Sequence, residues 1–135
     1  MITVNKISGK VLENTFHTFK EAAIEIRKEF EKIKSKLEGF TKEIWGEDYE
    51  EVFLAGKAWL EIKENFTSQY TESNELVVIG TLIVRVRSEG EKRKEAFNEL
   101  LKEVKPLLQK LGFRFDWSIK AWVYRVYAIV RLGEN

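Results

Sequence analysis

The sequence predicts an α+β chain: a two-layer α/β sandwich of the ferredoxin-like type, (β)αββαβ, with two helices on one face of an antiparallel sheet and a bent or split last strand. Three observations carry this. Two segments repeat apolar residues at helical spacing. Three others alternate them at strand spacing. The order runs helix, strand, strand, helix, strand, which right-handed crossovers fold into two layers.

Residues 2–7, ITVNKI, read as a short first strand, closed by a turn at Ser8-Gly9. Residues 15–38 read as the first helix. Phe16, Phe19, Ala23, Ile26, Phe30, Ile33, Leu37 and Phe40 alternate steps of three and four, a heptad-like seam that is expected to pack on the sheet. Thr18 with Glu21 resembles a capping box, Asn14 or Thr15 is the earlier alternative start, and Gly39 is the stop. Residues 41–51 read as a loop with one helical turn.

A strand follows over residues 53–63, with Ala58, Leu60 and Ile62 on one face and Lys57, Trp59, Glu61 and Lys63 on the other. Polar residues 65–75 read as a mobile hairpin loop. Residues 76–87, LVVIGTLIVRVR, form the strongest strand. Ser88 with Glu91 offers a cap for a second helix that runs to Leu111, contains Pro106 and ends at Gly112. In residues 113–132 the apolar row is odd through Ile119 and even from Trp122. A flat strand cannot change phase in this way, so a bulge or a turn lies near 118–121.

The chain has 135 residues, enough for a single domain with its own core. It is 44% hydrophobic and 33% charged, a globular balance. No apolar run spans a membrane and residues 1–15 lack a signal-peptide pattern, so a cytoplasmic location is expected. Cysteine is absent and His17 is the single histidine, which excludes disulfides, thiolate sites and two-histidine metal sites. Abundant Lys, Glu and Arg with scarce Gln and one Met resemble hyperthermophile usage. A net charge of +1 argues against general DNA coating.

No catalytic, cofactor or metal motif is expected. His17 reads as a solvent-facing residue rather than a general base. The acidic stretch Glu47, Asp48, Glu50, Glu51 lacks the ligand pattern of a calcium loop and reads as solvated. Ser88-Glu89-Gly90 lacks a phosphate-binding glycine pattern, and Gly80 reads as a site of close helix–sheet packing. Leu111-Gly112-Phe113-Arg114-Phe115 falls short of the RNA-recognition motif.

The informative feature is the second sheet face. Strand alternation collects Trp59, Glu61, Lys63, Ile79, Thr81, Ile83, Arg85, Arg87, Val123, Arg125, Tyr127, Ile129 and Arg131 there. Its aliphatic centre and arginine-rich end suit an interface. The leading expectation is a non-enzymatic, self-associating assembly or adaptor domain, a homo-oligomer or the partner of another protein. Ile79, Ile83, Val123, Tyr127 and Ile129 would be buried in that interface. The alternative on the same face is RNA or single-stranded DNA binding, with Arg85, Arg87, Arg125 and Arg131 on phosphates and Trp59 or Tyr127 stacking on bases. A third is a small-ligand or enzyme site between helices and sheet, lined by some of Trp45, Trp117, Trp122 and Tyr124. The element order, ending in YRVYAIV, also resembles the layout of tail-terminator proteins of tailed phages. That likeness implies a ring-forming structural subunit and transfers no residue.

Overall fold

The computed structural model describes residues 9–46 and 54–131. These contain β1 (Gly9–Phe16), α1 (Phe19–Leu37), β2 (Thr41–Trp45), β3 (Leu54–Tyr70), β4 (Glu75–Glu89), α2 (Arg93–Leu111), β5 (Arg114–Asp116) and β6 (Ala121–Arg131). The strands form one sheet in the order β1-β6-β4-β3-β2, with β5 on the same side of β6 as β1. The fold is mixed α+β, but it is not the ferredoxin-like sandwich. Six strands, not the expected four or five, curl into a half-barrel, and β1 runs parallel to β6, which makes the sheet mixed. Long strands drive the curl: β3 has 17 residues and β4 has 15, and twist accumulates along such a ribbon.

β1 is the principal correction. The predicted strand at 2–7 lies outside the described residues. Residues 9–16, expected to hold a turn and the start of a helix, pair with β6 from Gly9↔Arg125 to Phe16↔Val130. The register shifts by two residues between Val11 and Thr15, which keeps Leu12 and Phe16 on the core side, but exposed Asn14 lies between them and breaks the apolar alternation in the sequence. Phe16 therefore belongs to a strand. The helix begins at Phe19, capped by Thr18, whose Oγ1 accepts a hydrogen bond from the Glu21 amide at 3.1 Å.

β2 replaces part of the expected loop at 41–51; its remainder, residues 47–51, lies outside the described residues. The polar stretch 65–75 is mostly strand. Its pairing with β4 continues to Tyr70↔Leu76, and the turn is confined to residues 71–74. There Asn74 takes a left-handed φ of 59°. The α2 cap is also corrected: the helix starts at Arg93 after Lys92, which makes no side-chain cap, and Ser88 still lies in β4. The phase change at 118–121 resolves as a turn, since β5 and β6 pair antiparallel as a short hairpin.

Both helices pack on the even-numbered row of β4, and α1 also on that of β6. α1 lies over β1, β4 and β6, and α2 over β2, β3 and β4. Ile26 and Phe30 of α1 sit directly on Gly80. Fully buried Phe30, Ile26, Leu82, Val78 and Val126 form the centre of the core, each stabilising by about 1.5–3 kcal/mol through burial. Ala58, Ala96 and Leu100 form a smaller cluster under α2. Among the described residues no helix is long and apolar enough to cross a membrane.

Candidate functional site

The helix-free face assembles as strand alternation requires. Ile79 lies opposite Tyr127, Ile83 opposite Val123, Val77 opposite Ile129 and Thr81 opposite Arg125. Ile83 and Ile129 thus share one side. The apolar centre is less bare than expected: Val123 and Tyr127 are only 2% and 7% exposed, while Ile79, Ile83 and Ile129 are half-buried. Burial pushes the Tyr127 hydroxyl pKa up.

Each of the four arginines predicted for this face has an acidic neighbour. Arg87 donates a fork to Glu61 at 3.0 and 3.4 Å, beside its cross-strand neighbour Trp59. Arg85 donates to the Ile119 carbonyl at 3.0 Å and lies 3.9 Å from Glu61. Arg131 reaches Glu75 at 3.1 Å, and Arg125 lies 3.9 Å from Asp116. The hydrogen bond from Arg87 holds the Glu61 carboxyl below its ordinary pKa, with Lys63 adding to the effect. Hydrogen bonds from the Ser118 hydroxyl and amide do the same for Asp116, helped by Arg125. The arginines do not gather at one end, since Arg131 lies beside Glu75 at the start of β4 and Arg87 near its end, and all four are largely neutralised within the chain.

A cleft of about 940 Å³ opens on the helix side. It exists because β6 starts late. Pairing between β4 and β6 stops at Val84↔Trp122, whereas β4 continues to Glu89 along β3. The β5–β6 hairpin extends β6 on its opposite edge, so α2 faces it across a gap floored by Val84 and Val86. From α2 the cleft receives Phe97, Leu101, Lys105 and Gln109, one residue per turn. These lie beside the fully buried row Leu100, Val104, Leu108, but Phe97 and Leu101 are only half-buried.

The opposite wall is aromatic: Phe113, Phe115, Trp117 and Trp122. Phe115 holds it together, meeting Trp117 edge-on at 4.8 Å and Trp122 edge-on at 5.4 Å. Trp117, in the β5–β6 turn, is 81% exposed. Arg85, Lys105, Arg114 and Lys120 also border the cleft, although the strand register turns Arg85 and Arg114 toward the helix-free face.

Of the tryptophans and tyrosine predicted for such a site, Trp117 and Trp122 line the cleft. Trp45 does not; it is 49% exposed on the edge strand β2. Tyr124 packs behind the wall on Phe113 at 5.5 Å. Sequence reasoning missed Phe97, Leu101, Phe113 and Phe115. The available signal was the four-residue step Phe97-Leu101-Lys105-Gln109, an apolar stripe that turns polar along one side of α2.

The remaining candidates offer less chemistry. His17 is exposed, and its amide donates to Glu21 at 3.5 Å. The acidic stretch 47–51 lies outside the described residues. Among the described residues, no group of three or more His, Asp or Glu is placed to hold a metal ion. The chain matches no family model, no curated protein and no solved structure.

Proposed function

We propose that the protein is a binding module for a small, mainly apolar ligand held between α2 and the β5–β6 hairpin. The observation that carries this is the cleft itself: about 940 Å³, walled by Phe97 and Leu101 on one side and four aromatic side chains on the other. Its size falls in the range of roughly 300–1,000 Å³ usual for ligand sites. Phe97 and Leu101 face this space although their helix neighbours Leu100 and Val104 are completely buried. Apolar side chains turned to an open cleft gain burial when a ligand fills it.

The test is titration with the uncharged fluorescent probe N-phenylnaphthylamine. Saturable binding at one probe per chain is expected, weakened at least about tenfold by Leu101→Glu with the thermal melt retained. Phe97→Ala serves as a second variant if Leu101→Glu unfolds. Absence of saturable binding, or binding that neither variant changes, contradicts the reading.

A second reading is self-association through the helix-free face, including ring-forming assembly. It is favoured by the half-buried row Ile79, Ile83 and Ile129, over which neither helix packs. Nucleic-acid binding on the same face requires phosphates to displace Glu61, Glu75 and Asp116 from the arginines, and we rank it below the other two.

A further inference from the structure

We infer that residues 62–70 of β3 form an open strand edge that pairs antiparallel with the same segment of a second copy, about a dyad at Phe66. This surface involves neither the cleft nor the helix-free rows of β4 and β6.

The edge exists because β2 is short. β2 covers β3 only from Leu54 to Trp59. β3 runs on to Tyr70, with β4 on its other side in unbroken register. Among the described residues, no strand pairs with the outer side of β3 beyond Trp59. The Thr71 amide donates to the Glu75 carbonyl at 2.8 Å, which makes these two a hydrogen-bonded pair. Such pairs alternate along an antiparallel ladder, so the odd residues of β3 bond to β4. Ile62, Glu64, Phe66, Ser68 and Tyr70 therefore aim their backbone N–H and C=O groups outward. The devices that blunt an open edge are missing from residues 65–70. They hold no proline, no bulge and no charge, in a chain that is 33% charged.

The side chains select the occupant. Two copies of this edge bond antiparallel only with even residues against even residues. A dyad at Phe66 sets Phe66 against its own copy, Ile62 against the partner's Tyr70 and Glu64 against the partner's Ser68. On the other face it sets Asn65 against the partner's Thr67 and Lys63 against the partner's Gln69. No like charges meet. The apolar pairs fall on the helix side, where Ile62 and Phe66 already border the core. A dyad at Lys63 or Glu64 would oppose like charges, and one at Asn65 or Thr67 would set Glu64 against an aromatic ring. Tyr70, 70% exposed, gains an apolar neighbour. Exposed Ile24 borders the same seam, one turn of α1 before Arg27, which lies over the Phe66 ring at 5.2 Å. Because both copies use one segment, the pairing closes at two.

Sedimentation velocity of the full chain at micromolar concentration should show a dimer. Ser68→Pro removes an outward N–H and leaves the ladder with β4 intact, so it should weaken dimerisation at least about tenfold with far-ultraviolet circular dichroism unchanged. Tyr70→Glu is the second variant if Ser68→Pro unfolds. Ile83→Glu should leave this dimer intact, which separates edge pairing from association through the helix-free face. The chain has no cysteine, so introduced ones read the register. Asn65→Cys and Thr67→Cys chains, mixed and oxidised, should cross-link to each other in preference to themselves, because the dyad makes them a cross-strand pair about 4.5 Å apart at Cα. A monomeric wild type, a dimer that survives both edge variants, dissociation by Ile83→Glu, or cross-linking without preference for the mixed pair overturns the inference.

Discussion

Gly80 is the residue at which the first helix meets the sheet. A Cβ placed there would overlap Ile26 and approach Phe30 to 3.1 Å. Alanine suits a strand interior better than glycine by roughly 0.5–1 kcal/mol, but overpacking a filled core costs about 1–3 kcal/mol. The overlap dominates because Ile26 and Phe30 are completely buried and have no room to shift. Gly80→Ala should therefore lower the urea midpoint, and an unchanged or higher midpoint would show that α1 sits farther from β4. This contact was legible in the sequence, since a glycine inside so strong a strand asks for a close neighbour. The environments of the arginines were not. Alternation gives the face of Arg85, Arg87, Arg125 and Arg131, but their carboxylate partners depend on register, and Glu61 and Glu75 lie far from them along the chain. The same limit applied to the tryptophans, because Trp45 and Trp122 look alike until the edge strand is known.

At the scale of elements, long periodic segments were read correctly in type and imperfectly in extent. α2 follows its apolar stripe, and α1 follows its seam from Ile26 to Leu37, but at its start Ala22 is buried instead of Ala23 and Phe19 is exposed. The seam ran three residues too far toward the N-terminus because Phe16, which arrives from β1, happens to fall in phase with it. β1 and β2 escaped notice because both are edge strands. An edge strand packs on fewer neighbours, and in β1 polar Asn14 between Leu12 and Phe16 interrupts the apolar alternation. The polar arm of β3 read as loop because Asn65, Thr67, Ser68 and Gln69 are exposed, while their backbone pairs with β4 throughout. The strand rows that were read correctly carry the self-association prediction. Ile83 sits next to Val123 and away from both helices, so Ile83→Glu should dissociate an oligomer built on this face without altering far-ultraviolet circular dichroism. Light scattering at micromolar concentration decides it, and a monomeric wild type removes that reading.

For the whole molecule, the decisive feature is a mismatch in strand length. β3 and β4 continue beyond the point where β6 begins, and the curled sheet leaves α2 facing a hairpin instead of a fourth strand. Fold class at the level of helices over a sheet was legible. The half-barrel, the parallel β1 and the cleft were not, because each depends on which strands become neighbours and in what register. The central claim is that this gap is a ligand site. Isotope-edited NMR of the protein with bound N-phenylnaphthylamine tests it most directly, by locating the probe's protons against assigned side chains. The account predicts intermolecular cross-peaks from the probe to Phe97, Leu101, Phe115 and Trp122. Cross-peaks to Ile79, Ile83 and Ile129 instead, or none at saturating ligand, would contradict it.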